Sequence, residues 1–197
     1  GSAGALSPNL RVGDLVIAGA AAVHDTGIHR TTGFTPIGFM TLNDKEDHDC
    51  ALRMYADAEL VTLAQRVAGE LDWSPDPSGH TVQVYIGTVV TGDQIVLSAE
   101  KKNWLLETFG ALIVEMEGAA FAHVASANAL PWLLIRSVSD YADHSLDFAF
   151  ELWLEYVDAP QSAKARIGRA SDRLGYMLRH PQAMRRAKQM DENLAHA

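Results

Sequence analysis

Ala111-Leu-Ile-Val114, Gly118-Ala-Ala-Phe-Ala-His-Val-Ala-Ser-Ala127 and Trp132-Leu-Leu-Ile-Arg136 follow one another in close succession. The first and third are short apolar runs of strand length. The second is a run of small residues long enough for a helix. Together they read as strand, helix, strand. Such crossovers are nearly always right-handed and join parallel strands. Both strands are therefore expected to end at one sheet edge, and ligands of open α/β sheets bind beyond the carboxyl ends of the strands.

The neighbouring segments extend this pattern. Asp14-Leu-Val-Ile-Ala18, after Arg11-Val12-Gly13, reads as a buried strand. Residues Thr26 to Met40 are rich in Gly, Thr and Pro and read as a long irregular loop. Ala51 to Leu71 carries Leu52, Ala56, Leu60, Leu63, Ala64 and Val67 at helical spacing. Thr81 to Val90 is strongly β-branched and reads as a strand that stops at Thr91-Gly92-Asp93. A helix opens at Ser98, a capping residue, and ends at Gly110. The tail from Pro160 to His196 is helical in pattern, and its Arg185, Arg186 and Lys188 read as a solvated face. The expectation is an α/β fold: a central mixed, largely parallel sheet flanked by helices, in a single domain over residues 1–197 whose last part, 160–197, is a helical tail.

Composition excludes several classes. With 48% hydrophobic residues spread over 197 positions, a core of ordinary size can be buried. A formal net charge of −9 argues against a generic nucleic-acid binder. No apolar run approaches the ~20 residues that span a bilayer, and no signal peptide is evident. Cys50 is the single cysteine, so no internal disulfide can form and a cytoplasmic setting is expected. Cys50 closes the stretch Asp44-Lys45-Glu46-Asp47-His48-Asp49-Cys50, which lacks a metal-ligand spacing and reads as a solvated loop or helix start. No metal and no cofactor are expected.

Three segments are expected to converge at the sheet edge: Thr91 to Val96, Glu115-Met116-Glu117, and Arg136 to Asp140. Carboxylates at strand ends are costly to bury without a partner or a purpose. Glu117 and Asp140 are thus the pair of interest. The alternative is that each is a capping residue, Glu117 in the first turn of the helix at Gly118 and Asp140 for the segment after Tyr141. The pattern alone leaves both readings open and names no substrate.

Val114-Glu115-Met116-Glu117-Gly118-Ala119-Ala120 resembles a signature of methylthioadenosine/S-adenosylhomocysteine nucleosidases and related purine nucleoside phosphorylases. Arg136-Ser137-Val138-Ser139-Asp140-Tyr141-Ala142-Asp143 resembles their second signature, and Thr91-Gly92-Asp93 their purine-loop motif. Gly1 to Pro8 followed by Val12-Gly13-Asp14-Leu15-Val16 resembles the start of the family's central portion. The resemblance covers roughly residues 1 to 155. It implies that the family's N-terminal part is lacking from these residues, and with it the groups that activate water or bind phosphate.

The chemistry implied by the resemblance is cleavage of a purine N-glycosidic bond, with 5′-modified adenosines as substrates. Asp140 would be the general acid towards the base, steadied by Ser139. Such an acid has to keep its proton or share it in a hydrogen bond. Glu117 would hold the ribose hydroxyls and stabilise the oxocarbenium-like sugar. Met116 would pack on the sugar, and Ile95 and Val96 would flank the base. Ile95 departs from the stacking Phe of several relatives. Phe148 would line the pocket for the 5′ substituent. Ser2 and Arg136 would position the nucleophile, water or phosphate; from the residues alone Arg136 also reads as a structural ion-pair partner, Phe148 as plain core and Met116 as a gap filler. His24-Asp25 lies in the loop that approaches the 5′ pocket in relatives; from the residues alone it reads equally as a surface turn. Hydrolysis is the expected reaction, with phosphorolysis and non-catalytic nucleoside binding as alternatives, and a homodimer is the expected assembly.

Overall fold

A computed structural model describes residues 1–42, 48–75 and 79–147. Phe148, the tail from residue 160, and Asp44 to Asp47 lie outside the described residues. The chain divides into two compact units, Gly1–Ala142 and Asp143–Ala197. In the second, Asp143 caps a short 3-10 turn over His144–Leu146, its Oδ1 accepting the Ser145 N–H at 2.9 Å.

The first unit is α/β with a mixed sheet, as the pattern of apolar runs implies. Its elements in chain order are β1 (Ser2–Ala5), β2 (Leu15–Val23), β3 (Gly27–Arg30), β4 (Gly33–Pro36), β5 (Phe39–Leu42), β6 (His48–Ala51) and β7 (Met54–Tyr55). Then come α1 (Ala58–Glu70), β8 (Val84–Thr91), α2 (Ala99–Phe109), β9 (Ala111–Glu115), α3 (Gly118–Ala127) and β10 (Ile135–Asp140). The main sheet runs β10-β1-β9-β8-β2-β7, and β10 also pairs with β2. Five strands therefore close into a ring: β10, β1, β9, β8 and β2.

Strand direction corrects one expectation. β1 runs parallel to β10 and antiparallel to β9. The strands on either side of α3 are thus antiparallel to each other and not adjacent, because β1, brought from far away in sequence, lies between them. The handedness rule concerns parallel strands of one sheet, and this crossover does not make such a pair. β2, β8 and β9 are mutually parallel and end together, with Val23 opposite Thr91 and Thr91 opposite Glu115.

The sheet buries both faces, and successive strand residues feed different clusters. Ile113, Val89 and Ala21 join one cluster; their neighbours Val114, Val90 and Ala22 join the other. Ala119, Ala122 and Ala125 of α3 pack on the first, where small side chains let helix and strand approach closely. A Cβ at Gly118 would overlap the Leu134 side chain. Leu105 and Phe109 of α2 fill the second cluster. That helix has the ends its sequence predicts: Ser98 Oγ accepts the Lys101 N–H at 3.3 Å, and Gly110 closes it with φ 57°.

Other boundaries differ from the expectation. Residues 26 to 40 hold the β3–β4 hairpin and the start of β5 where an irregular loop was expected. The hairpin turns through Thr31-Thr32 into Gly33, whose φ of 123° requires glycine. α1 begins only at Ala58, because Asp57 Oδ1 accepts the N–H groups of Glu59 (3.0 Å) and Leu60 (2.9 Å). β8 begins at Val84 because the Gln83 N–H is taken by buried Asp14 (2.9 Å), which also contacts His80 Nε2 at 2.7 Å. Among the described residues no helix is long and apolar enough to cross a membrane.

Candidate active site

The site lies where β2, β8 and β9 end and where β10 passes. Its hub is Glu115, the last residue of β9, whose side chain is 1% exposed. One carboxylate oxygen accepts from Thr91 Oγ1 and from the Gly118 N–H (2.9 Å). The other accepts from the Glu117 N–H (3.1 Å), the Gly118 N–H (2.8 Å) and Arg136 Nη2 (2.5 Å). Thr91 Oγ1 in turn accepts the Ala119 N–H at 2.8 Å. Glu115 and Thr91 thus satisfy the first amides of α3, and a carboxylate there is favoured by the helix dipole. Arg136 is 11% exposed and also donates to Glu117 Oε2 at 3.4 Å. Its Nε is buried with no hydrogen-bond partner among the described residues.

Glu117 stands at the N-cap position of α3 and makes no side-chain cap bond. Its side chain is 73% exposed. The helix-cap reading of Glu117 therefore fails, since Glu115 does the capping two residues earlier. What remains is a carboxylate held at a strand end by one long contact to a guanidinium and otherwise open to a ligand. Met116 beside it is exposed.

Asp140 ends β10. Between Ala3 and Gly4 the pairing shifts: Ala3 faces Val138 but Gly4 faces Asp140. Ser139 is the extra residue of a β-bulge. Consecutive residues of a regular strand point to opposite faces, whereas a bulge re-aims them. Here Ser139 Oγ and Asp140 Oδ2 lie 2.7 Å apart. Ser139 Oγ is also 3.2 Å from the carbonyl oxygen of Ala3. A hydroxyl has one proton, which Ser139 can donate to the Asp140 carboxylate or to the Ala3 carbonyl. Asp140 Oδ1 accepts the Ala142 N–H at 2.8 Å. That bond fastens Ala142, a left-handed non-glycine residue with φ 47°. Such conformations cost free energy and persist where the surroundings impose them. Lys102 Nζ adds a second tie, donating to the Tyr141 carbonyl at 2.6 Å. Gly4 is glycine because a Cβ would sit 2.8 Å from Asp140 Oδ1 and 3.0 Å from the Ala142 Cβ.

Since β1 separates β9 from β10, two strand spacings, about 10 Å in a flat sheet and less in a closed one, part the two backbones. The remaining assigned residues are spread around this frame. Ser2 is exposed at the start of β1, with Ser137 of β10 as its partner. Ile95 is exposed and Val96 buried, just beyond the Gly92-Asp93 turn. Phe148 lies outside the described residues. His24 is 0% exposed, which overturns the surface-turn reading for this residue. Its imidazole pKa is lowered, first by burial and then by the nearby Lys101 cation, against the opposing pull of Asp25. Lys101 is itself lowered by burial, again opposed by Asp25. Its Nζ lies 4.3 Å from the centre of the Trp104 ring. Among the described residues no group of three or more His, Cys, Asp or Glu side chains is placed to hold a metal ion.

The sequence profile of the phosphorylase superfamily matches residues 1–173. The chain belongs to the phosphorylase superfamily. Among its superfamily relatives, it is 31% identical over 155 residues to the aminodeoxyfutalosine nucleosidase of Helicobacter pylori, covering 79% of this chain and 60% of that protein. It is 34% identical over 159 residues to the 5′-methylthioadenosine/S-adenosylhomocysteine nucleosidase of Mycobacterium bovis, covering 75% of this chain and 60% of that one. The crystal structure of a Helicobacter pylori MTAN mutant with 5′-methylthioadenosine in the active site superposes with a TM-score of 0.60 at 29% identity, over 86% of this chain and 64% of that one. The chain thus spans about 60% of the length of the curated superfamily members it matches.

For a phosphorylase superfamily member, the feature that sequence reading missed is Glu115. The Glu-Met-Glu spacing carried the signal, since alternation sends residues two apart to one face. Which of the two carboxylates is buried depends on Arg136 and Thr91, and both come from other strands.

Proposed function

We propose that this site cleaves the N-glycosidic bond of purine nucleosides by hydrolysis, with 5′-modified adenosines as substrates. The observation that carries this reading is the Asp140 carboxyl, held by Ser139 and by the Ala142 N–H on the strand whose Arg136 contacts the exposed Glu117. In the reaction, Asp140 delivers its proton to the purine ring as the C1′–N9 bond breaks, and the bonding pair leaves with the base. Ser139 holds the carboxyl in place. Positive charge develops on the ribose, and Glu117 stabilises it while gripping the hydroxyls. Water then adds at C1′ and its proton passes to solvent, from which Asp140 takes up a proton again. Met116 packs on the sugar, Ile95 and Val96 flank the base, and Ser2 helps place the nucleophile.

Water is favoured over phosphate by the state of Arg136. Its charge is already matched by Glu115 and Glu117, so a phosphate dianion brought to it would meet two carboxylates as well. The nucleosidase names of the relatives and the methylthioadenosine bound in the Helicobacter pylori structure support the same substrate class. A homodimer is proposed with it, because Phe121 and Val124 form an exposed apolar row on α3. The single cysteine fits a cytoplasmic protein.

The test is adenine release from 5′-methylthioadenosine and S-adenosylhomocysteine with and without phosphate. Release at equal rates in both conditions is expected. Release that needs phosphate, or binding with no release, would overturn hydrolysis. Glu117→Gln is expected to lower the rate by about a hundredfold or more, the scale of a lost group that stabilises transition-state charge. Its melting temperature should stay close to the parent's, because the side chain is exposed and caps nothing. A large drop in melting temperature would return Glu117 to a structural role.

A further inference from the structure

We infer that His24 and Asp25 are positioning residues that fix the turn carrying the base-contacting segment, an inference that rests on the reading of Ile95 and Val96 given above. From Ala20 onward β2 and β8 pair without a shift up to Val23 and Thr91. One more ladder bond follows, from the His24 N–H to the Thr91 carbonyl at 2.9 Å. The chain then turns through Gly92 and Asp93, and both turn amides are bound. The Gly92 N–H donates to the Glu115 carbonyl at 3.2 Å, and the Asp93 N–H donates to Asp25 Oδ2 at 2.7 Å. The turn is thus pinned from β9 on one side and from the end of β2 on the other.

The His24 ring supplies the third constraint. A Cβ on residue 92 would overlap its Nε2 and Cε1 and lie 2.6 Å from Asp25 Oδ2. The ring and the carboxylate therefore form the floor on which Gly92 rests. Neither ring nitrogen has a hydrogen-bond partner among the described residues, so the ring acts through its bulk. Three residues beyond Gly92 stands Ile95, exposed, with Val96 buried behind it. A turn free to shift would carry both with it, and a misplacement of ~1 Å in a binding segment is enough to lose activity. Asp25 acts through an amide of the turn and His24 through the space it fills; neither has to touch the nucleoside.

The experiment compares Asp25→Ala, Asp25→Asn, His24→Ala and His24→Phe with the parent by hydrogen exchange over residues 92–97 and by equilibrium binding of free adenine. Asp25→Ala removes a hydrogen bond to a charged group. Exchange at Asp93 should quicken, and adenine affinity fall, by about tenfold or more, with the melting temperature little changed. Asp25→Asn keeps an oxygen acceptor and should restore most of both. His24→Ala should loosen the same segment, and His24→Phe, which keeps a ring, should not. Should His24→Ala fail to fold, the other three variants decide. Unchanged exchange in Asp25→Ala would overturn the inference. So would faster exchange with adenine affinity intact. A parent protein that binds no adenine would bring down the functional reading itself, a result distinct from one in which parent and Asp25→Ala bind adenine equally.

Discussion

Asp140→Asn is expected to slow base release by about 10²- to 10⁴-fold, the contribution typical of a positioned general acid. Nucleoside binding should survive largely intact. The substitution is nearly isosteric beside Gly4, where a Cβ would already lie 2.8 Å from Asp140 Oδ1. The amide oxygen can still accept the Ala142 N–H, so the left-handed turn at Ala142 keeps its anchor. What asparagine lacks is a proton to give. Asp140→Ala removes the anchor too and should lower the melting temperature as well as the rate. Release rates and nucleoside affinities of the two variants separate chemistry from architecture. An Asp140→Asn protein that releases adenine at the parent's rate would exclude the general-acid role.

Glu115→Ala should cost about 3–5 kcal/mol of folding stability, the range for removing one partner of a buried ion pair. The loss has two sources. Arg136, 11% exposed, would keep its charge without its closest counterion. The amides of Glu117 and Gly118 would lose their acceptor at the start of α3. Glu115→Gln should fall between, since its oxygen can still accept while its charge is gone. Urea unfolding of the three proteins measures this directly. A midpoint for Glu115→Ala within experimental scatter of the parent's would show that the hub bears little of the site's architecture. Glu117→Gln two residues on should show the reverse pattern, with rate lost and stability kept.

Local signals in the sequence are legible because local physics decides them. Ser98 and Gly110 bound α2 through a hydroxyl acceptor and a left-handed residue, and neither needs a distant partner. The small residues of α3 and the apolar run of β9 likewise announce themselves. Orientation is not legible. Whether β9 and β10 run parallel is settled by β1, and nothing within residues 111–140 indicates that a strand from the chain's start will lie between them. β10 extends to Asp140 for the same reason: with Arg136, Ser137, Ser139 and Asp140 the segment looks too polar for a buried strand, yet β1 supplies partners for Ser137, Val138 and Asp140. The hairpin at Gly27–Pro36 is hidden by a composition that suits loops. At the site, the sequence points to Asp140 and Glu117 but does not disclose that Glu115 takes the cap, nor that His24 is buried.

The bulge at Ser139 has a consequence beyond the pair it brings together. A strand held on both sides of a closed ring cannot slide, because sliding would break its bonds to β1 and β2 at once. Which residue of such a strand lies opposite Gly4 is then fixed by the pairing. The extra residue leaves the carboxyl opposite Gly4 and sets the Ser139 hydroxyl beside it, 2.7 Å away. In the proposed reaction, the hydroxyl that holds the acid is thus supplied by the insertion itself. Loops around the site can change length and composition while this pair stays in place.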